Sequence, residues 1–406
     1  MGLPKARAPR GTPRVARPRS GASPALKPLI IDPAAMSSVK QSQLSDPELR
    51  SVRAGTLRSY GLYDAEYRKW KGKRFPRTAV DLVLLRYIAH LLACGTPTSA
   101  IEGTVSAVLF FACTSLRCWP RLQRAVRGAR LTRPHQSRIP LAEEIVAAIA
   151  AVLVSWNLRP FALLVLLSMS AYLRPGEARG LRVEDVLRPS RGRAKLLRCW
   201  SLFLAPQERG LPTKTGLYDE TIYLDHPEGL GEAIGAYASQ FPPSAILFPF
   251  PEALILRAWK AAAAAVGVED AVLYQLRHAG ASGDLLSARR TLAAIEGRGR
   301  WRTSTSVKRY SKSGQVQRSL AKLSRAQMSF ASASLANLDK MLRGSWRPRH
   351  DLVVEPSRSV RKIQQDSSTC ILRARNFGVK EKRPPTPVDS CISVSSVARG
   401  KRARRS

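Results

Sequence analysis

The sequence predicts a multidomain, mainly α-helical protein with two globular domains, the second of which contains a small antiparallel sheet. Helical spacing of apolar residues occupies two long stretches, and an arginine-rich run without acidic residues separates them. Three short strand-like segments lie close together in the second stretch, and both ends of the chain are rich in Arg, Pro and Ser. The predicted divisions are a disordered basic arm over 1–45, a helical domain over 46–130, a basic linker over 131–140, an α+β domain over 141–342 and a disordered basic tail over 343–406.

The charge balance points to a polyanionic partner. The 406 residues include 67 Lys and Arg against 29 Asp and Glu, which gives a net charge of +38. Such a field attracts nucleic acid first and an anionic membrane surface second. The longest apolar runs, 145–158 and 161–173, are shorter than the ~20 residues that cross a bilayer, so we expect buried helices there. The cysteines and histidines show no metal-ligand spacing, so we expect free thiols and neither a metal nor another cofactor.

Helices are predicted throughout the first domain. A second helix opens at Thr78 and Asp81, and Gly95 is placed to end it. A third is expected to begin at Ser99, with Glu102 completing a capping box. A plain helical bundle and a ligand-binding domain fit this pattern equally well. The first helix presents one aromatic face, made of Tyr60, Tyr63, Tyr67 and Trp70.

Arginines dominate the run from 121 to 141, which contains no acidic residue and is broken by Gly128, Pro134 and Pro140. This composition is typical of an interdomain linker, and a solvated run of charge is the simpler interpretation. Because the run joins two domains, it is also placed to follow a phosphate backbone. The candidate contacts to a DNA backbone are Arg127, Arg130, Arg133 and Arg138.

The second domain opens with two apolar helices and continues with short strands. The segments 181–186, 196–205 and 220–225 have strand-like patterns, and Gly and Pro mark a turn over 207–216. Helical patterns return from about 252 and end with an apolar face over 315–342. Helices that flank a small sheet indicate an α+β domain.

Two arginines are candidates for holding a phosphate. Arg277 lies in an apolar stretch, where an arginine needs an anionic partner because burying its charge alone is costly. Arg174 directly follows an apolar helix, which presents it at the domain surface. Two planar guanidinium groups can hold the non-bridging oxygens of one phosphodiester, whose charge increases in the transition state. In the simpler interpretation, Arg174 caps a helix end and Arg277 pairs with Glu177.

A tyrosine and a lysine complete this constellation. Tyr310 is flanked by Lys308 and Arg309, and as a nucleophile its pKa of ~10 must be lowered by that positive field. Lys214, at the tip of the turn, is placed to protonate a leaving oxygen. A surface tyrosine and a solvated lysine are the simpler alternatives.

Taken in order, these residues resemble the tyrosine recombinases, or phage-type integrases, over roughly 60–342. The motifs of that family occur as a first arginine box (LRPGE), a hairpin lysine (TKTG), a second arginine (YQLRH) and a nucleophile (KRY). Glu177 takes the acidic position of the first box, where it would orient the arginine. Trp301 occupies a position where the family uses His or Trp, for hydrogen bonding to phosphate or as a buttress. The motifs fall, in chain order, on Arg174, Lys214, Arg277 and Tyr310.

The resemblance implies a fold and a reaction. The first domain would be a core-binding (SAM-like) domain and the second a catalytic domain, and together they would clamp double-stranded DNA. Tyr310 would attack a phosphodiester, form a 3′-phosphotyrosyl bond and release a 5′-hydroxyl, and a second strand's hydroxyl would reverse the step. Because the covalent link keeps the bond energy, neither a nucleotide cofactor nor a metal is required. The family acts as a homotetramer on DNA, and the apolar face over 315–342 would serve either that contact or packing within the chain.

One position departs from the family pattern. Tyr274 stands three residues before Arg277, where the family usually has His. A tyrosine can donate a hydrogen bond to a phosphate oxygen, but it offers no imidazolium charge. Three functions therefore stay open: a site-specific recombinase or integrase, a DNA-binding relative without cleavage, and a DNA-relaxing enzyme like the type IB topoisomerases. The basic tail suggests the nucleus in a eukaryote and otherwise the cytoplasm or nucleoid, with organelle targeting as the alternative.

Overall fold

The computed structural model describes two compact units. The described residues are 44–45, 48–49, 51–52, 54–72, 80–134, 139–192, 194–210, 217–301, 313–348 and 356–376. The chain divides into one unit over Met1–Ser137 and another over Arg138–Ser406. In the described residues the protein is mainly helical with one small antiparallel sheet, as the sequence predicted.

The first unit is built from helices around a core of its own. The aromatic face predicted for the first helix packs inward: Tyr67 is buried against the ring of Tyr87, and Trp70 packs against the same ring. Gly95 adopts a left-handed backbone (φ +79°) just after the second helix, as expected of a glycine that ends a helix. Thr78 lies outside the described residues. The helices in the described part of this unit are α1 (Ala54–Lys71), α2 (Val80–Ala93), α3 (Thr98–Phe111) and α4 (Pro120–Thr132).

The predicted capping box of the third helix is wrong. Helix α3 begins at Thr98 after Pro97, and no side chain caps its first turn. The Thr98 hydroxyl donates instead to the carbonyl oxygen of Arg133 at 2.6 Å, and the Glu102 carboxylate pairs with Arg130 at 2.5 Å. The helix therefore begins one residue before the predicted Ser99, and Glu102 of the predicted box pairs with α4 instead of the helix N-terminus.

The interpretation of residues 121–132 as linker is also wrong, because they belong to helix α4. Leu122, Val126 and Ala129 are buried at helical spacing against the core of the first unit. The arginines occupy the remaining faces of the helix, so the high charge concealed a narrow apolar stripe.

The second unit holds the larger core. Nearly every residue of its first two helices is buried, which explains their uninterrupted apolar sequence. In chain order, the helices in the described part of this unit are α5 (Glu143–Ser155), α6 (Arg159–Ser170), α7 (Pro175–Gly180), α8 (Leu230–Ala238), α9 (Glu252–Ala265), α10 (Gln275–Leu286), α11 (Leu292–Gly299), α12 (Ser313–Leu320), α13 (Arg325–Ala336), α14 (Leu338–Leu342) and α15 (Arg358–Asn376).

The sheet of the second unit is three-stranded and antiparallel. Strand β1 (Val186–Leu187) pairs with β2 (Ser201–Leu204), which pairs with β3 (Glu220–Tyr223). Within the first predicted strand, 181–186, residues Val183–Asp185 form a 3₁₀ turn, and only Val186 belongs to β1. The Asp185 carboxylate causes this difference, since it accepts the backbone N–H of Arg182 at 2.7 Å and pairs with Arg209 at 2.6 Å.

Helix α15 corrects the prediction of a disordered tail over 343–406. Its residues Val360 and Ile363 are buried, and the Gln364 amide donates to the carbonyl oxygen of Trp156 at 2.6 Å. Asp366 also pairs with Arg257 of α9 at 2.9 Å. The polar composition of this segment did not indicate a helix. Its few apolar residues lie on one helical face, among many Arg, Ser and Gln residues.

Candidate functional site

Arg174 and Glu177 form the first part of the site, at the start of helix α7. The Glu177 carboxylate accepts the backbone N–H of Arg174 at 2.8 Å and its guanidinium at 2.5 Å. Both side chains are 15% exposed. A positive charge at a helix N-terminus is unfavourable, so Arg174 is held by this carboxylate and not by the helix end. Glu177 therefore orients the guanidinium of Arg174.

Arg277 is the third residue of α10 and is fully buried, with 0% exposure. Its two terminal nitrogens donate to two backbone carbonyls, those of Tyr172 and Gly299. Its guanidinium lies 4.8 Å from the centre of the Trp301 ring. Backbone carbonyls and an aromatic face thus fix the orientation of this guanidinium.

A third arginine, Arg300, joins these two and was missed from the sequence. It is 4% exposed, and it donates to the Tyr172 carbonyl at 3.2 Å and to the Glu177 carboxylate at 2.7 Å. Burial lowers the pKa of Arg300 to about 10, against the opposing charge of Glu177 and with help from the neighbouring guanidiniums of Arg277 and Arg174. The only local signal was its place beside Trp301 in the RGRW stretch.

The charges of the three arginines and Glu177 favour the binding of an anion. Burial alone would raise the pKa of Glu177, but Arg300 and Arg174 outweigh it, and the pKa falls below its ordinary value. Glu177 therefore stays ionised beside two guanidiniums, with a third, that of Arg277, bound to the same carbonyl as Arg300. Three buried or half-buried arginines in one place create a positive potential that a phosphate group would satisfy.

Of the two aromatic residues predicted near Arg277, Trp301 packs against its guanidinium and Tyr274 packs against His278. Tyr274 immediately precedes α10, and its half-buried ring meets the ring of His278 edge-on, with 5.3 Å between centres. The Trp301 ring stacks on Tyr172 at 6.1 Å, in addition to its contact with Arg277. Trp301 is thus placed as a buttress for the guanidinium.

Behind the arginines lies a buried polar network that the sequence did not reveal. The Tyr172 hydroxyl donates to the Asp284 carboxylate, which also binds Arg289 at 2.5 Å and Arg290. Burial raises the pKa of Tyr172, and so does the charge of Asp284. Arg290 continues to Asp225 at 2.5 Å. The site arginines therefore rest on a second layer of ion pairs.

The predicted nucleophile and general acid, Tyr310 and Lys214, lie outside the described residues. Arg138, a predicted backbone contact, also lies outside them. Among the other predicted contacts, Arg130 pairs with Glu102 at 2.5 Å, while Arg127 is exposed on α4. Arg127 lines a groove of the first unit together with Arg117 and Arg124, which were not among the predicted contacts to a DNA backbone.

Within the described residues, no group of three or more His, Cys, Asp and Glu side chains is arranged to hold a metal ion. None of the described helices combines the length and the apolar character that a membrane crossing requires.

Comparison with known proteins returns solved structures of recombinases at low identity. The XerH site-specific recombinase bound to a palindromic difH substrate, in a post-cleavage complex, is 14% identical with a TM-score of 0.49, and the match covers 71% of this chain and 86% of that one. The pre-cleavage complex of XerH with difH is 13% identical with a TM-score of 0.45, covering 71% and 87%. The XerA recombinase is 13% identical with a TM-score of 0.34, covering 67% and 93%. No family model and no curated protein matches the chain.

Proposed function

We propose that the protein is a site-specific DNA recombinase or integrase that cleaves and rejoins double-stranded DNA through a covalent bond to tyrosine. The observation that carries this proposal is the meeting of Arg174, Arg277 and Arg300, of which the first two are far apart in the sequence. Their convergence supports a site that binds a phosphodiester.

The guanidiniums act on the scissile phosphate. Arg174 and Arg277 hold its non-bridging oxygens and neutralise the charge that grows as the phosphorus becomes five-coordinate. Glu177 keeps Arg174 in place, and Trp301 supports Arg277 from below. Since contacts within the chain orient both arginines, little reorganisation is required at the moment of reaction.

Tyr310 and Lys214 provide the covalent chemistry of the proposal. Tyr310 loses its phenolic proton to solvent, its oxygen attacks phosphorus and a 3′-phosphotyrosyl bond forms. The bond to the 5′ oxygen breaks while Lys214 gives that oxygen a proton, and Lys214 then regains a proton from solvent. In the reverse step, the 5′-hydroxyl of a second strand attacks the same phosphorus and the tyrosine leaves. Neither step consumes a nucleotide. Exchange of strands between two DNA sites requires four such subunits, so we propose that the protein acts as a homotetramer on DNA.

Covalent trapping tests this proposal without knowledge of the target site. The full chain is incubated with a pool of nicked duplexes that have a randomised core, and adducts that resist SDS are isolated and sequenced. We expect adducts from the native protein and from Tyr218→Phe, which removes the hydroxyl of an exposed tyrosine. We expect none from Tyr310→Phe. An adduct with Tyr310→Phe would contradict the assignment of the nucleophile.

A second candidate function is DNA binding without cleavage, and Tyr274 is the observation that favours it. Tyr274 is the residue just before α10, three positions ahead of Arg277, and its ring packs against His278. An imidazolium at this position would add positive charge near the phosphate site, which a tyrosine does not. On this alternative, native protein and Tyr310→Phe bind duplex DNA with the same strong salt dependence. Neither would form an adduct, even from soluble protein that binds the pool.

A further inference from the structure

The backbone of Tyr172 is unusual and buried. This residue lies between the end of α6 and Arg174, is 0% exposed, and has a left-handed backbone with φ +47°. A bulky side chain disfavours that conformation, which persists only where the surroundings hold it. Backbone outliers of this kind cluster at functional sites.

The carbonyl group of Tyr172 is the shared acceptor of two site arginines. It accepts a hydrogen bond from Arg277, and it accepts one from Arg300 at 3.2 Å. One peptide group therefore sets the position of both guanidiniums. A shift in its plane would move both together, because each of these arginines is almost wholly buried.

The side chain of Tyr172 is restrained on several sides. Its hydroxyl donates to Asp284, its ring stacks on Trp301, and the Arg298 guanidinium lies 5.6 Å from the ring centre. A methyl group at Gly280 would lie 2.7 Å from the Tyr172 ring, so only glycine lets α10 approach this closely. The ring cannot turn without breaking one of these contacts.

We infer that Tyr172 is a positioning residue for the phosphate clamp, held by Asp284 and acting through its own carbonyl on Arg277 and Arg300. The hydroxyl fixes the ring, the ring fixes the left-handed peptide, and the peptide fixes the two guanidiniums. This inference rests on the proposed function for its effect on cleavage, but its effect on the arginines is measurable without DNA.

The test compares two buried tyrosines of the second unit in the full chain. Tyr172→Phe removes the hydroxyl that binds Asp284 and keeps the ring. Tyr237→Phe is the matched control, because Tyr237 is 6% exposed and its hydroxyl has no hydrogen-bond partner in the part of the chain that the structure describes. Circular dichroism and thermal unfolding establish that both variants are folded.

The first measurement is NMR of the arginine side chains in free protein, with the Arg277 signals assigned by their loss in Arg277→Lys. In native protein and Tyr237→Phe we expect separate signals for the two terminal nitrogens, since each is bound to a different carbonyl. In Tyr172→Phe we expect these signals to merge, because a looser Tyr172 carbonyl lets the guanidinium rotate.

The second measurement is the rate of adduct formation in a single turnover, on a duplex recovered from the trapping pool. Tyr172→Phe is expected to slow the rate at saturating DNA by about tenfold to a hundredfold, as misplaced catalytic groups do. The DNA concentration at half-saturation should stay unchanged. Tyr237→Phe should match native protein in both quantities.

The outcomes separate the two proposals. If native protein forms adducts and Tyr172→Phe matches Tyr237→Phe in rate and in NMR signals, the positioning role is overturned and the proposed function stands. If native protein forms no adduct but the Arg277 signals merge in Tyr172→Phe, the proposed function fails and the positioning of the arginines stands. Unchanged signals together with no adduct would overturn both.

Discussion

The arginines of helix α4 and those of the candidate site lie in opposite environments. In the first unit, Arg124 and Arg127 lie on the exposed faces of α4. In the second unit Arg277 and Arg300 are buried and bound to backbone carbonyls. A solvated arginine contributes affinity that salt weakens, whereas a buried and oriented one contributes geometry. Charge composition alone therefore does not distinguish a binding surface from a reaction site.

The largest effect on the rate of adduct formation is expected when the planar guanidinium of a buried arginine is replaced by another cation. Arg277→Lys keeps the charge but replaces five N–H donors in one plane by three on a single nitrogen, so it cannot keep the geometry that joins two carbonyls and a phosphate. We expect adduct formation to fall by about 10²–10³-fold, similar to the loss of one donor from an oxyanion site. Single-turnover trapping measures this rate, and duplex binding at low salt should be retained.

The matched variant is Arg58→Lys, at an arginine exposed on α1 of the first unit. Its rate should stay within about a factor of two of native protein, since surface substitutions away from a site have small effects. Equal losses in the two variants would remove the distinction between buried and solvated arginines.

A glycine in each unit tests how closely packed the two regions are. Gly280→Ala places a methyl group against the Met169 carbonyl and 2.7 Å from the Tyr172 ring. Gly128 of α4 has no atom within 4 Å of such a methyl group. We expect the free energy of unfolding to fall by about 3 kcal/mol for Gly280→Ala and to rise by about 0.5–1 kcal/mol for Gly128→Ala. Urea unfolding measures both, and a stabilised Gly280→Ala would contradict the close approach of α10 to α6.

The smallest effect concerns the two carboxylates that pair with arginine. The pKa of Glu177 is lowered from 4.5, since Arg300 and Arg174 outweigh the effect of burial. A carboxylate with a lowered pKa stabilises the fold above its unfolded pKa, and this contribution is lost as the pH falls through the folded pKa. Glu177→Gln should therefore cost about 1–2 kcal/mol of unfolding free energy at pH 7, and the difference from native protein should shrink below pH 4.5.

The corresponding pair in the first unit, Glu102 with Arg130, is more exposed, at 26% and 57%. Glu102→Gln should change the unfolding free energy by less than about 1 kcal/mol. Urea unfolding over a pH series compares the two variants. A difference for Glu177→Gln that is constant with pH would show that the ion pair is not its source.

Local pattern was enough to predict much of the fold. The aromatic face of α1, the left-handed Gly95 and the apolar pair α5 and α6 follow from residue spacing, as does the small sheet. These features depend on residues a few positions apart, which a sequence displays directly. The ordered motifs around Arg174 and Arg277 are likewise visible without a structure. The roles of Tyr310 and Lys214 stay predictions from those motifs.

Only the tertiary structure decided how the site arginines are held. Arg300 and Tyr172 adopt left-handed backbones without being glycines, and no local pattern predicts a conformation that distant contacts impose. The partners of Arg277 are carbonyls at two separate positions in the chain, so they depend on how α10 packs against the end of α6 and the end of α11. The sequence determined which residues carry charge. Packing determined which of those charges are buried, oriented and able to act together.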